Sequence, residues 1–313
     1  MVVGAELLVR GAASIAVAAG VSPLVVGLTV VAFGTSSPEL AASLMAAGAG
    51  QPTLALGNVV GSNIFNILVI LGMASVIRPL AVDRQLLWLD VPVMIAVSFV
   101  VWGMAADGRV GRTEGTLLLA VVVGYTIVLA RISRRVPDTV EREYAAEVVA
   151  RASKSPTVWI SSSAAVLTGL AMLVIGSRWL VEGAVAIARS LAVSELVIGL
   201  TLVAGGTSLP ELATSAVAAF RGHRDIAVGN VVGSNVFNLT MVLGTTALVA
   251  TRALEVPPDA VTFDLPTMVA AAALCWPLFL TGKTVVRWEG AVLLCGYLAY
   301  GAWLLLRAGF ALA

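Results

Sequence analysis

Charge is what this chain has least of: 12% of its 313 residues are Asp, Glu, Lys or Arg, against 59% hydrophobic. A water-soluble domain carries about a quarter charged residues, so a water-facing fold is excluded and most of the solvent is lipid. No stretch is long enough for a separate soluble domain. Histidine is nearly absent, and the single His223 falls in a short loop, which excludes a His-ligated metal centre. The two cysteines, Cys275 and Cys295, lie inside apolar runs without paired spacing. They read as small apolar packing residues rather than a disulfide or a thiolate site. A net charge of +1 points to neither nucleic acid nor an acidic partner. Phosphate-cradling loops and nucleophile–base motifs are also missing. A membrane-embedded enzyme using two acids as an acid–base pair therefore ranks last among the readings considered below.

What is present is a series of about ten apolar runs of roughly 20 residues, each long enough to cross a hydrocarbon core. The first resembles a secretory signal, but Glu6 and Arg10 interrupt it, it lacks a leading basic region, and it recurs later in the chain. That recurrence organises everything else. Gly4 to Leu40 aligns without a gap to Gly176 to Leu212, and the same offset of 172 carries GNVVGSNIFN at Gly57 onto GNVVGSNVFN at Gly229. At slightly larger offsets DVPVM at Asp90 pairs with DLPTM at Asp264, and RTEG at Arg112 with RWEG at Arg287. The expected fold is an all-α polytopic membrane protein of about ten transmembrane helices. Five spans per half is odd, so the halves are expected to be inverted repeats.

The expected division is residues 1–132 for the first repeat, 133–155 for a surface linker with amphipathic turns around Val140, Tyr144 and Val148, and 156–313 for the second repeat. The first span is short at its N-terminal end, because its counterpart runs from about Pro156 to Ser190. A start upstream of Met1 is the expectation that follows. Placing the linker in the cytoplasm puts twelve Lys and Arg on that side against five on the other, with both termini outside the cell membrane.

Glu39 and Glu211 stand in mid-span, where an ionisable group costs a few kcal/mol or more unless compensated. No lysine or arginine occupies a matching place in either half, so a bound cation is the natural counter-charge. In GTSSPE and GTSLPE, Pro38 and Pro210 remove a backbone donor, and Gly34 and Gly206 loosen the turn. Each helix is expected to break beside its glutamate. The carbonyls of Ala32 and Ala204 are expected to face a cavity, with hydroxyls from Thr35, Ser36, Thr207 and Ser208 beside them. One such kink alone is ordinary helix back-bonding, but two copies, each followed by a glutamate, mark an ion site. In the next span Gly57, Gly61, Gly229 and Gly233 form small faces for close packing. Asn58, Ser62 and Asn66 recur every fourth residue, as do Asn230, Ser234 and Asn238, so each set forms one polar stripe. These donors are all hard oxygens, suited to Ca²⁺ and Na⁺ and less to Mg²⁺.

On these motifs the chain resembles the sodium/calcium exchanger family of the calcium/cation antiporter superfamily, especially its small prokaryotic members. The resemblance implies ten helices, a four-helix core around the site, long first and sixth helices that slide across it, and exchange of several Na⁺ for one Ca²⁺. It places ion ligands at Thr35, Ser36, Glu39, Ser62, Asn66, Thr207, Ser208, Glu211 and Ser234, with Ala32 and Ala204 as carbonyl donors. Asn238 stands where some prokaryotic members carry aspartate. The cation/proton branch, by contrast, has a glutamate where Gly61 and Gly233 stand. The ions are substrates, and neither a cofactor nor an obligate protein partner is implied. Two transport rivals stay open: a proton-coupled antiporter on the same fold, and a passive cation channel.

Overall fold

The computed structural model of the chain describes residues 1–132, 156–190 and 204–307. The linker turns around Val140, Tyr144 and Val148 lie outside the described residues. Among the described residues, eight helical stretches are long and apolar enough to cross a bilayer. The broken stretch Ala204–Arg221 and the 21-residue helix Arg287–Arg307 take the remaining two of the ten places. The fold is all-α and polytopic.

In the first half, α1 (Val2–Ala19) ends at Gly20, whose left-handed φ of 66° closes the helix, and Ser22 caps the next start by accepting from the Val25 amide. The second span is assembled from α2 (Pro23–Val26), a π-helical turn Gly27–Val31, α3 (Ala32–Thr35) and α4 (Ser37–Gly48). The third is α5 (Pro52–Phe65), a π-helical turn Asn66–Leu71 and α6 (Gly72–Ile77). After the short strand β1 (Leu80–Ala81) come a π-turn Leu86–Asp90 and α7 (Val91–Met104), then β2 (Arg109–Val110) and α8 (Arg112–Ile132).

The second half repeats the plan with α9 (Pro156–Ser190), α10 (Ala204–Gly206), α11 (Leu209–Arg221), α12 (Arg224–Phe237), the π-turn Asn238–Val242 and α13 (Leu243–Val249). It finishes with β3 (Leu254–Glu255), the π-turn Ala260–Asp264, α14 (Leu265–Leu280), β4 (Thr284–Val285) and α15 (Arg287–Arg307). Each half is thus punctuated at matching places, including π-turns that start at Asn66 and Asn238.

The two-residue strands settle how the halves are oriented. By the repeat, β1 corresponds to β3 and β2 to β4. Repeats of the same orientation would put β1 and β3 on one membrane face. Instead β1 pairs with β4 and β2 with β3, both antiparallel. Each pairing is continued by one further bond at its edge, Val82 N–H to the Lys283 carbonyl at 2.8 Å and Val256 N–H to the Gly108 carbonyl at 2.9 Å. The second half is therefore upside down relative to the first.

The RTEG and RWEG motifs find a local explanation here. Glu114 accepts from the Gly111 amide at 2.9 Å and Glu289 from the Val286 amide at 2.8 Å, so each glutamate reaches back to cap its own helix start. The DVPVM and DLPTM motifs fasten helices instead. Tyr125 donates to Asp90 Oδ1 and Tyr300 to Asp264 Oδ1, both at 3.0 Å.

Helix α1 lies antiparallel on the first part of α9, backbone against backbone. A Cβ on Gly169 would come within 2.6 Å of the Gly4 carbonyl oxygen, and one on Gly11 within 2.8 Å of the Ser162 carbonyl oxygen. Small residues at a seven-residue spacing, Gly4 with Gly11 and Gly169 with Gly176, make this approach feasible. Gly169→Leu is expected to push α1 off α9 and lower stability by about 2 kcal/mol or more, read as thermal unfolding in detergent. Gly124→Ala, on an exposed face of α8 with open space around it, serves as the neutral comparison. Equal melting of the two variants would contradict this packing.

Candidate functional site

Both glutamates sit in the first turn of a half-helix. Ser36, with φ −80° and ψ 1°, ends α3 and opens α4, and Ser208, with φ −87° and ψ 8°, does the same ahead of α11. Proline follows at the second helical position and glutamate at the third, where the proline ring costs no intrahelical bond and the helix N-terminus favours a negative group. The expected break is present in both halves, three residues before each glutamate.

Serine followed three residues later by glutamate is the pattern of a local capping box, yet neither serine side chain caps its own helix. Each turns to the other half. Ser36 Oγ donates to Glu211 Oε1 at 3.3 Å, and Ser208 Oγ donates to Glu39 Oε1 at 2.9 Å. The carboxylate of one repeat is thereby seated at the helix start of the other. Both residues are fully buried.

The threonines cross over in the same manner. Thr35 Oγ1 donates to Asn230 Oδ1 at 3.1 Å, and Thr207 Oγ1 to Asn58 Oδ1 at 3.2 Å. Each of these asparagines also holds the neighbouring glutamate helix. Asn58 Nδ2 donates to the Glu39 carbonyl and to Ser43 Oγ, while Asn230 Nδ2 donates to the Glu211 carbonyl and to Ser215 Oγ. The polar stripes therefore divide by role. Asn58 and Asn230 are spent as clamps between helices, and Ser62, Asn66, Ser234 and Asn238 take no part in those clamps. Ser43 and Ser215, four residues after each glutamate, were not singled out from the sequence, although their matched offset was the available signal.

The remaining polar atoms are short of partners. Glu39 Oε2, Glu211 Oε2, both polar atoms of the Asn66 amide, Ser234 Oγ and Asn238 Oδ1 are buried without a hydrogen bond. The repeat is unequal here: Asn238 Nδ2 donates to Ser62 Oγ at 3.1 Å and Ser62 Oγ to the Val59 carbonyl at 3.0 Å, whereas the side chains of Asn66 and Ser234 have no partner. The Ala32 carbonyl is engaged locally, accepting from the Ser36 amide at 3.0 Å and from Thr35 Oγ1 at 3.4 Å. Ala204 opens α10, the matching place in the second half. Among the described residues, no group of three His, Cys, Asp or Glu gathers as a metal cluster. The donor set is two carboxylates plus neutral oxygens.

The glycine faces also separate. Gly229 and Gly233 pack on the first half's broken span, where added Cβ atoms would lie 2.9 Å from the Leu24 carbonyl oxygen and 2.6 Å from that of Leu28. For Gly57 and Gly61 the residues that repeat places opposite, Leu196 and Leu200, lie outside the described residues. Truncating the more deeply buried clamp should cost more. Asn230→Ala, which strands Ser215 and the Glu211 carbonyl, is expected to lose about 2–3 kcal/mol. Asn58→Ala, at a half-buried position, should lose less. The reverse order of melting temperatures would contradict the clamp assignment.

Comparison with known proteins agrees with this arrangement. The family profile described as sodium/calcium exchanger protein matches residues 1–131 and 161–306. The chain is 37% identical over 301 residues to the putative antiporter CaxA of Alkalimonas amylolytica, covering 95% of this chain and 92% of that protein. It is 31% identical over 345 residues to the sodium/calcium exchanger MaX1 of Methanosarcina acetivorans, covering 96% and 94%. A solved structure of the sodium-calcium exchanger NCX_Mj, soaked with Na⁺ and Ca²⁺, superposes with a TM-score of 0.81 at 30% identity, covering 96% of this chain and 92% of that one. With two inverted halves, a broken helix in each and a buried glutamate at each break, the chain belongs to the sodium/calcium exchanger family of membrane antiporters.

Proposed function

We propose that this protein exchanges Na⁺ for Ca²⁺ across the cell membrane by alternating access, binding both ions at the paired glutamates. One observation carries the reading. Each carboxylate keeps one oxygen bonded to the opposite half and leaves the other, buried at zero exposure, without a donor. Without a cation two ionised carboxylates in one low-dielectric site repel each other, by about 4 kcal/mol were they 4 Å apart at an effective dielectric near 20. A positive ion between them answers both deficits.

The ligand set of this reading is Glu39 and Glu211 with the oxygens of Thr35, Ser36, Ser62, Asn66, Thr207, Ser208, Ser234 and Asn238. The carbonyls of Ala32 and Ala204 belong to the same set, the former once Thr35 releases it. Such hard oxygens suit Ca²⁺, and Na⁺, of similar size, competes for the same donors. One Ca²⁺ or several Na⁺ neutralise the pair and permit the switch, whereas the charged, empty pair resists occlusion. That asymmetry makes the exchange obligatory and separates this protein from a passive channel. The division at 132 and 156, a cytoplasmic linker and extracytoplasmic termini complete the reading, supported by the excess of Lys and Arg on the linker side.

Two outcomes test it in proteoliposomes. Glu39→Gln and Glu211→Gln are each expected to abolish Ca²⁺ uptake driven by a Na⁺ gradient, and wild-type rates in either variant would refute the assignment. In the unmodified protein Ca²⁺ uptake is expected to follow an imposed Na⁺ gradient. Uptake that ignores Na⁺ and tracks a pH gradient would assign proton coupling instead, and flux without any counter-ion would assign a channel.

A further inference from the structure

Helix α1 carries two charges, Glu6 and Arg10, that the ion site does not use. Arg10 pairs with Glu6 on the same helix, and Glu6 Oε2 also receives Arg221 Nε at 2.8 Å from the last turn of α11. The Glu6 side chain is only 19% exposed, against 51% for Arg221. The pair therefore bridges α1 to the helix that holds Glu211.

The inverted repeat supplies a comparison inside the same chain. The positions matching Glu6 and Arg10 are Arg178 and Glu182, with the signs exchanged, and these two pair with each other at 2.7 Å along α9. The position matching Arg221 is Ala49, which carries no charge. An ionic bridge of this kind forms between Glu6 and Arg221, and the matched positions Arg178 and Ala49 cannot form its counterpart.

The contacts around α1 suit a part that moves. Its interface with α9 is a close approach at Gly4, Gly11 and Gly169, where backbone carbonyls and the Val166 side chain lie against glycine, and among the described residues no hydrogen bond or ion pair joins the two helices. The core helices α4, α5, α11 and α12, by contrast, are fastened by the serine, threonine and asparagine bonds described above. In inverted-repeat transporters, access alternates when one bundle shifts against the other and the two halves exchange conformations. After such an exchange the matched position in the second half offers Arg178 no acidic or charged partner at Ala49. A bridge present in one conformer and irreplaceable in the other biases the equilibrium between them.

We infer that Glu6 and Arg221, with Arg10 in support, form a one-sided latch that holds α1 against the end of α11 and favours the conformer seen here. The inference rests on the alternating-access reading above, but its test does not depend on ion transport. Hydrogen–deuterium exchange of the purified full-length protein in detergent reads the mobility of α1 directly. Glu6→Gln and Arg221→Gln are each expected to raise exchange in Val2–Ala19 by about three- to tenfold while leaving α5 and α12 unchanged. Arg178→Gln, which breaks only the pair within α9, should leave α1 as it is. The exchanged set, Glu6→Arg with Arg10→Glu and Arg221→Glu, which keeps every pairing of opposite sign, should restore protection. Unchanged α1 exchange in both single variants, a rise shared equally by α5 and α12, or no restoration by the exchanged set would each overturn the latch.

Discussion

Two carboxylates held at zero exposure inside an apolar fold, with no lysine or arginine paired to them among the described residues, set the terms for the rest of this structure. Hydrocarbon offers no hydration to a charge, so the protein must bring dipoles and donors to each one. The helix breaks at Ser36 and Ser208 do part of this by aiming a half-helix N-terminus at each glutamate. Ser36 and Ser208 do another part by donating to the opposite half's carboxylate, while Thr35 and Thr207 donate across to the asparagine clamps. Asn58 and Asn230 then pin the two broken helices to their neighbours. What is left over is one oxygen per carboxylate and several amide and hydroxyl atoms without partners, the atoms that the proposed function assigns to a cation.

On the alternating-access reading proposed above, inversion is what makes such a site usable from both sides. The β1–β4 and β2–β3 pairings relate the halves by an axis in the membrane plane, so a conformation of one half can be adopted in mirrored sequence by the other. The departures from symmetry matter as much. Asn238 bonds Ser62, while the side chains of Asn66 and Ser234 stand without partners, and the Glu6–Arg221 bridge has no second copy. A conformer with unequal halves is what a transporter in one state of access should look like.

Much of this was legible in the sequence because the duplication doubled every signal. The offset of 172 revealed the halves, the odd span number implied inversion, and Pro38 and Pro210 located the breaks. The site itself was less legible where side chains had a choice of partner. Ser36 and Ser208 fit a local cap, and only the three-dimensional approach of the halves diverts them. Asn58 shares a stripe with Ser62 and Asn66, yet its amide is consumed by Thr207, the Glu39 carbonyl and Ser43. The π-turns at Asn66 and Asn238 carry no sequence mark comparable to proline, and RTEG and RWEG, conspicuous as repeats, turn out to be helix starts. Periodicity fixes which residues share a face, but which partner each takes depends on packing between segments far apart in the chain.

The central claim is that metal supplies the positive charge missing between Glu39 and Glu211. Equilibrium binding of radioactive Ca²⁺ to the purified protein in detergent, titrated with Na⁺ and separately with K⁺, addresses it most directly. The account predicts saturable Ca²⁺ binding that Na⁺ displaces and K⁺ does not. Absence of Ca²⁺ binding, or binding that persists undiminished in high Na⁺, would contradict it.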